Sequence, residues 1–121
     1  MAKTILSVDD SASMRQMVKM TLASEGYQVV EAADGREGLQ AVQAGGVDLI
    51  LTDLNMPHMD GLSMIRAIRA LPNAKGVPIV LLTTESTDAK KAEAKAAGAT
   101  AWLVKPFKPD QLLSVTRKVL G

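Results

Sequence analysis

A chain of 121 residues, 47% of them hydrophobic and 22% charged, is long enough for one domain with a real core and unlike a disordered polypeptide. With no cysteine and a single histidine, His58, it excludes disulfide scaffolds, thiolate or histidine-cluster metal sites and cysteine nucleophiles. A formal charge of +1 and only three aromatic residues, Tyr27, Trp102 and Phe107, give neither the basic field nor the stacking platforms that nucleic acid requires.

The apolar pattern switches between short runs and stretches of helical spacing. Thr4–Val8 reads as a first strand. The helix after it carries Met14, Met17, Val18 and Leu22 on one face, with Ser13-x-x-Gln16 as its capping box and Gly26 just past its end. Met20 shares the methionine spacing and is expected to help fill the core. Tyr27–Glu31 is the second strand. Its helix opens at Asp34-x-x-Glu37, turns Leu39 and Val42 inward and closes at Gly45-Gly46. Val47–Thr52 is the third strand, and Asp60 caps a helix marked by Met64, Ile65, Ile68 and Leu71. Val77–Thr83 is the fourth strand, with a helix that ends before Gly98. Ala101–Val104 is the fifth, and Pro109 opens a last helix carrying Leu112, Val115, Thr116 and Val119.

Most of the strands read as nearly continuous apolar runs, as strands buried on both faces do. Strict βα alternation over residues 1–121 predicts one doubly wound α/β domain with a parallel five-stranded sheet in the order 2-1-3-4-5. No run approaches the roughly 20 residues of a membrane span, the longest being Val77–Leu82, and Met1-Ala2-Lys3-Thr4 leads straight into a strand. A cytoplasmic location without membrane contact is the expectation. In such a fold, ligands bind outside the carboxyl ends of the strands.

Those ends carry Asp9 and Asp10, Asp53 and Asn55, Thr83-Thr84-Glu85, and Lys105-Pro106. Singly, each has an ordinary reading as a helix cap, a loop acid, the last residue of a strand or a solvated lysine. Together they put three carboxylates, a hydroxyl and one amine on a single rim. Ionised carboxylates in one place repel, so a raised pKa, a cation or both must compensate. Lys105 answers one negative charge. Oxygen donors without histidine or cysteine favour a hard divalent ion, and a shallow site suits hydrated Mg²⁺. A cation, a lysine and a hydroxyl also meet the needs of a phosphoryl group.

With these residues in place the chain resembles the receiver domains of two-component response regulators, above all the single-domain chemotaxis regulators (CheY-like). The likeness spans the chain: Val8-Asp9-Asp10-Ser11, Asp53-Leu54-Asn55-Met56-Pro57-x-Met59-Asp60-Gly61, Leu82-Thr83-Thr84-Glu85, Gly98-Ala99 and Lys105-Pro106-Phe107. The resemblance implies that Asp53 accepts the phosphoryl group. It implies that Asp10, Asp53 and the Asn55 carbonyl ligate Mg²⁺, with Asp9 holding the ion through water. Lys105, Thr83 and the Thr84 N–H would serve the phosphoryl oxygens, and the Lys105-Pro106 bond would be cis. Asn55 and Glu85 would tune the lifetime of the phosphoryl group. Thr83 would act with an aromatic switch on the fifth strand, where the family usually has Tyr or Phe and this chain has Trp102.

The implied partners are a histidine kinase as phosphodonor and a target protein read by the α4–β5–α5 face, with a flagellar motor switch protein as one candidate. Lys90, Lys91, Lys95, Lys105 and Lys108 give that side a basic cast suited to an acidic partner. The last helix ends at Leu120-Gly121, so a stand-alone switch is expected. A phosphate sink or relay shuttle is the nearest alternative. An aspartate-nucleophile phosphatase would need a second acid two residues after Asp53, where Asn55 stands and has no carboxyl proton to give. A flavin-mononucleotide binder would find its phosphate repelled by Asp9 and Asp10. The chain is read as a signalling switch, not an enzyme acting on other substrates.

Overall fold

The computed structural model describes residues 2–120, so Met1 and Gly121, the two ends of the expected domain, lie outside it. Five strands alternate with five helices: β1 (Thr4–Val8), α1 (Ala12–Ala23), β2 (Gln28–Ala32), α2 (Gly35–Ala44), β3 (Leu49–Asp53), α3 (Gly61–Arg69), β4 (Ile79–Thr83), α4 (Asp88–Ala97), β5 (Ala101–Val104) and α5 (Pro109–Leu120). All strand pairs are parallel and the order is β2-β1-β3-β4-β5, as expected. No helix among the described residues is long and apolar enough to cross a membrane.

Alternate residues of each central strand feed two separate cores. Leu6, Val8, Ile50, Ile79 and Leu81 face α2, α3 and α4, where Val42, Ile65, Ile68 and Ala94 meet them. Ile5, Leu49, Leu51, Val80 and Leu82 face α1 and α5, against Val18, Leu22 and Leu112. Each fully buried leucine or isoleucine contributes about 1.5–3 kcal/mol, so these two layers are the main source of stability. Only β1, β3 and β4 are buried on both faces. β2 and β5 are the edges of the sheet, and their side chains are largely half-buried or exposed.

Several boundaries and contacts differ from expectation. The first helix is capped by Ser11, whose hydroxyl accepts from the Met14 N–H, so Ser13 lies inside the helix and the expected Ser13/Gln16 box does not form. Two nearby hydroxyls competed, and Ser11 takes the role because its own N–H is held by the Asp9 carboxylate at 2.9 Å. β2 begins at Gln28 instead of Tyr27, and β3 at Leu49 instead of Val47, because Asp48 bonds laterally to Thr4 through both backbone and side chain. β4 begins at Ile79, since Pro78 has no N–H for the ladder. Met14 and Met17 pack against the α1–α5 core, but Met20 is 67% exposed and fills nothing.

The other caps agree with the reading. Asp34 accepts from the Glu37 N–H, and the Glu37 carboxylate reaches back to Ala33. Asp60 accepts from Ser63, and Gly98 ends α4 in the left-handed region that glycine enters freely.

Candidate functional site

Parallel register assembles the rim. Val8 pairs with Thr52 and Thr83 with Val104, so the next residues along, Asp9, Asp53, Thr84 and Lys105, emerge together where the sheet ends. Asp53 is itself the last residue of β3 and pairs with Leu82.

Asp9 is 3% exposed, and both of its oxygens are engaged: Oδ1 by the Ser11 N–H, Oδ2 by Lys105 Nζ at 3.1 Å. Asp53 is half-buried. Its Oδ1 accepts from the Leu54 N–H at 2.8 Å and lies 3.4 Å from Lys105 Nζ. None of its hydrogen bonds among the described residues uses Oδ2. Asp10 is exposed, and the three acids each offer a carboxylate oxygen within 4.8 Å of the others.

The charges do not cancel locally. Burial pushes the Asp53 carboxyl above the ordinary carboxylate range, and the negative charge of Asp9 adds to this; the Lys105 ammonium and the Leu54 N–H oppose the rise without overcoming it. A carboxylate held in that condition gains from a divalent cation. The donor set is wholly oxygen, which fits Mg²⁺ and not a thiophilic or imidazole-seeking metal.

Around this centre, Thr83 is buried and its hydroxyl oxygen accepts from the Glu85 N–H at 3.1 Å, which leaves the hydroxyl proton free to donate. Thr84 is exposed. Asn55 and Glu85 come together, the Asn55 amide nitrogen 3.5 Å from a Glu85 carboxylate oxygen. The Lys105-Pro106 peptide is cis. His58 is exposed in the β3–α3 loop with a φ of 68°. Trp102 packs against the core beneath α4, as a half-buried cover of edge strand β5, and its indole Nε1 is buried without a hydrogen-bond partner among the described residues.

Several residues that hold this arrangement have no role assigned to them in the sequence reading. Arg15 donates to the Asp9 carbonyl while pairing with Glu31. Gly61 packs so closely on Asp53 that a Cβ there would stand 2.4 Å from the Asp53 carbonyl oxygen. Its place in the Asp60-Gly61 pair was the available signal, since a glycine entering a helix invites the question of what approaches it. Arg69 binds four backbone carbonyls, and no periodicity or motif marks it.

The architecture is that of a doubly wound domain with an acid–lysine centre at the carboxyl rim of its sheet. The response regulator receiver domain model matches residues 5–117, and the chain belongs to that family. It is 40% identical over 119 residues to the chemotaxis protein CheY1 of Helicobacter pylori strain J99, covering 97% of this chain and 96% of the relative. The solved structure of Vibrio cholerae chemotaxis protein CheY4 is similar at a TM-score of 0.96 and 49% identity, over 99% of this chain and 100% of that one. The receiver domain of the Pseudomonas aeruginosa sensor kinase PA1611, solved with a magnesium ion in its active-site cleft, aligns at a TM-score of 0.92 and 32% identity, over 100% and 99%.

Proposed function

We propose that this protein is a phosphorylation switch in which Asp53 accepts a phosphoryl group from a histidine kinase and the changed surface is read by a target protein, in chemotaxis or motility and in the cytoplasm. The observation that carries this reading is the acid–lysine centre itself: three carboxylates within 4.8 Å, with a lysine between the two more buried ones. The likeness to chemotaxis proteins supports the biological setting.

Of the three clustered acids, Asp53 alone combines partial burial with a carboxylate oxygen that no hydrogen bond among the described residues uses, and it is the nucleophile in this reading. That oxygen forms the new O–P bond while the P–N bond to the donor's phosphoimidazole breaks, and the electron pair leaves with the imidazole. Asp10, Asp53 and the Asn55 carbonyl would hold Mg²⁺, with Asp9 acting through water; the ion supplies charge neutralisation for the phosphoryl oxygens. Lys105 sits between Asp9 and Asp53 and can follow the new charge with little movement. Thr83 offers its free hydroxyl proton, and Thr84 its N–H, to the same oxygens. Asn55 and Glu85 meet beside the site and govern water's access to the acyl phosphate.

The modification exchanges a charge of −1 for about −2 and adds strong acceptors. Thr83 responds, and Trp102 and the α4–β5–α5 face follow. The target, with a flagellar motor switch protein as the candidate, meets a face that carries Lys91, Lys95 and Trp102. Intact mass after acetyl phosphate and Mg²⁺ tests the reading: one added phosphoryl group in the parent and none in Asp53→Asn supports it, and no gain in the parent rejects it. Trp102 is the single tryptophan, so an emission that does not change on phosphorylation would count against the switch.

A further inference from the structure

α4 is held very unequally at its two ends. Its first six residues, Asp88–Glu93, are exposed or only partly covered, and its N-terminus is capped by its own Thr87 hydroxyl. The buried residues of the helix are two alanines, Ala94 and Ala97, both in its second half. Nothing large on α4 is locked into the core.

The other end is gripped. Arg69, at the end of α3, puts Nε and Nη2 on the Gly98 carbonyl at 3.1 and 2.9 Å. Its Nη1 binds the carbonyls of Ala74, Lys75 and Val77 at 3.0, 3.1 and 2.6 Å. Among the described residues no carboxylate pairs with it, so the whole donor fork serves backbone. The arginine stem also lies flat under Gly98, where a Cβ would come within 2.7 Å of Cγ. Beyond Gly98, the Thr100 N–H bonds Ile79 at 2.7 Å and fixes the chain at the start of β4.

A cleft of about 270 Å³, walled by Lys91, Lys95, Ala99 and Trp102, opens between α4 and β5. Four residues separate Thr83 from the start of α4. A rod of ten residues is about 15 Å long, so a 1 Å pull at its loose end tilts it by about 4° if the other end stays fixed.

We propose that Arg69 is a positioning residue that pins the C-terminal end of α4, so that events at Thr83 turn the helix about Gly98 and are delivered to the α4–β5 surface as a tilt. Without the pin the same pull would slide or fray the helix. The tilt rests on the phosphoacceptor reading above, whereas the pin is a property of the resting protein and can be examined without it.

Backbone hydrogen exchange on the full chain tests both. In the resting protein, Arg69→Gln should speed exchange at Gly98, Ala99 and Thr100 about tenfold beyond any change at Ile50 and Leu51, which report global opening. Arg69→Lys should behave alike, because one ammonium cannot bridge carbonyls on two sides; it also serves if the glutamine variant folds poorly. With beryllofluoride and Mg²⁺ as an unreactive phosphoryl mimic, exchange in the parent should change at Lys90–Glu93 and stay within about twofold at Gly98–Thr100. In Arg69→Gln the change should spread to both ends.

Equal changes at both ends of α4 in the loaded parent overturn the pivot. An unaltered Gly98–Thr100 segment in both variants, or acceleration that includes Ile50 and Leu51 equally, overturns the pin. Bound mimic is read separately by its fluorine resonance. Its absence at saturating reagent rejects the phosphoacceptor reading and the tilt with it, and leaves the resting comparison to decide the pin.

Discussion

Among the glycines, the closest approach of an added Cβ falls at Gly61, where the entrance of α3 meets the proposed phosphoacceptor, Asp53. Gly61 donates its N–H to the Leu54 carbonyl at 2.8 Å and lies with its bare Cα against the Asp53 backbone. An alanine there would put Cβ 2.4 Å from the Asp53 carbonyl oxygen and 3.1 Å from Leu54 Cα. Neither atom belongs to a side chain that can rotate away. Ordinary contact begins near 3.4 Å, so the end of β3 or the start of α3 must yield by about 1 Å.

The energetic outcome is a difference of two terms. Overpacking of this kind costs about 1–3 kcal/mol, and alanine returns up to about 1 kcal/mol over glycine in a helix. A net destabilisation of about 1–2 kcal/mol follows for Gly61→Ala, a shift of about 3–6 °C in melting temperature for a domain of this size. The effect on chemistry is larger, because displacing a reacting group by about 1 Å costs on the order of 100-fold in rate. Acetyl phosphate labelling followed by intact mass measures that rate, and Gly76→Ala is the comparator, since nothing lies within 4 Å of a Cβ at Gly76. If Gly61→Ala is labelled within about threefold of Gly76→Ala, the close approach does not position Asp53 and the reasoning fails.

The raised Asp53 carboxyl makes the native state bind its proton more tightly than the unfolded chain does. Stability in metal-free buffer must then fall as pH rises from the ordinary carboxylate value of about 3.9 through the raised one. Asp53→Asn removes that fall, so urea unfolding should find the variant more stable than the parent at pH 7 and the gain fading towards about pH 4; parallel pH profiles would refute it. Lys105→Met leaves Asp9 and Asp53 without the ammonium now 3.1 and 3.4 Å away, and should cost about 3 kcal/mol in metal-free buffer. Excess Mg²⁺ should return part of that loss, and melting curves with and without the ion will show whether it does. Asp34→Ala removes the acceptor for the Glu37 N–H at 3.0 Å and should cost about 1 kcal/mol in chemical denaturation, with faster exchange at that amide.

The rim was legible in the sequence because it depends on topology more than on side-chain detail. Once five parallel strands are ordered, each strand end has a known neighbour, and Asp9, Asp53, Thr83 and Lys105 converge whatever their rotamers. What the sequence does not carry is choice among equivalents and contact across long separations. Ser11 and Ser13 are both credible caps, and the Asp9 carboxylate decides between them through the Ser11 N–H. Met20 has the spacing of a core residue, but α1 turns that position to solvent. The Arg69 fork joins α3 to a carbonyl 29 residues away, and backbone acceptors leave no trace in residue type. The spacing at Gly61 and the unpartnered indole of Trp102 likewise exist only after folding.

The division of labour among the three acids also follows from burial. Asp9 is the most enclosed, and its oxygens are engaged by the Ser11 N–H and Lys105, which fits the proposed role of a fixed charge better than that of a nucleophile. Asp10 is open to solvent, where a carboxylate can meet a hydrated ion without losing much of its own hydration. Asp53 lies between these extremes. One oxygen is anchored by the Leu54 N–H and Lys105, and none of the hydrogen bonds among the described residues uses the other. Its partial burial raises the free energy of the bare carboxylate, so neutralising its charge relieves a cost that is already present in the resting fold. Changing the depth of Asp53, as Gly61→Ala is expected to do, should therefore alter reactivity and resting stability through the same few atoms.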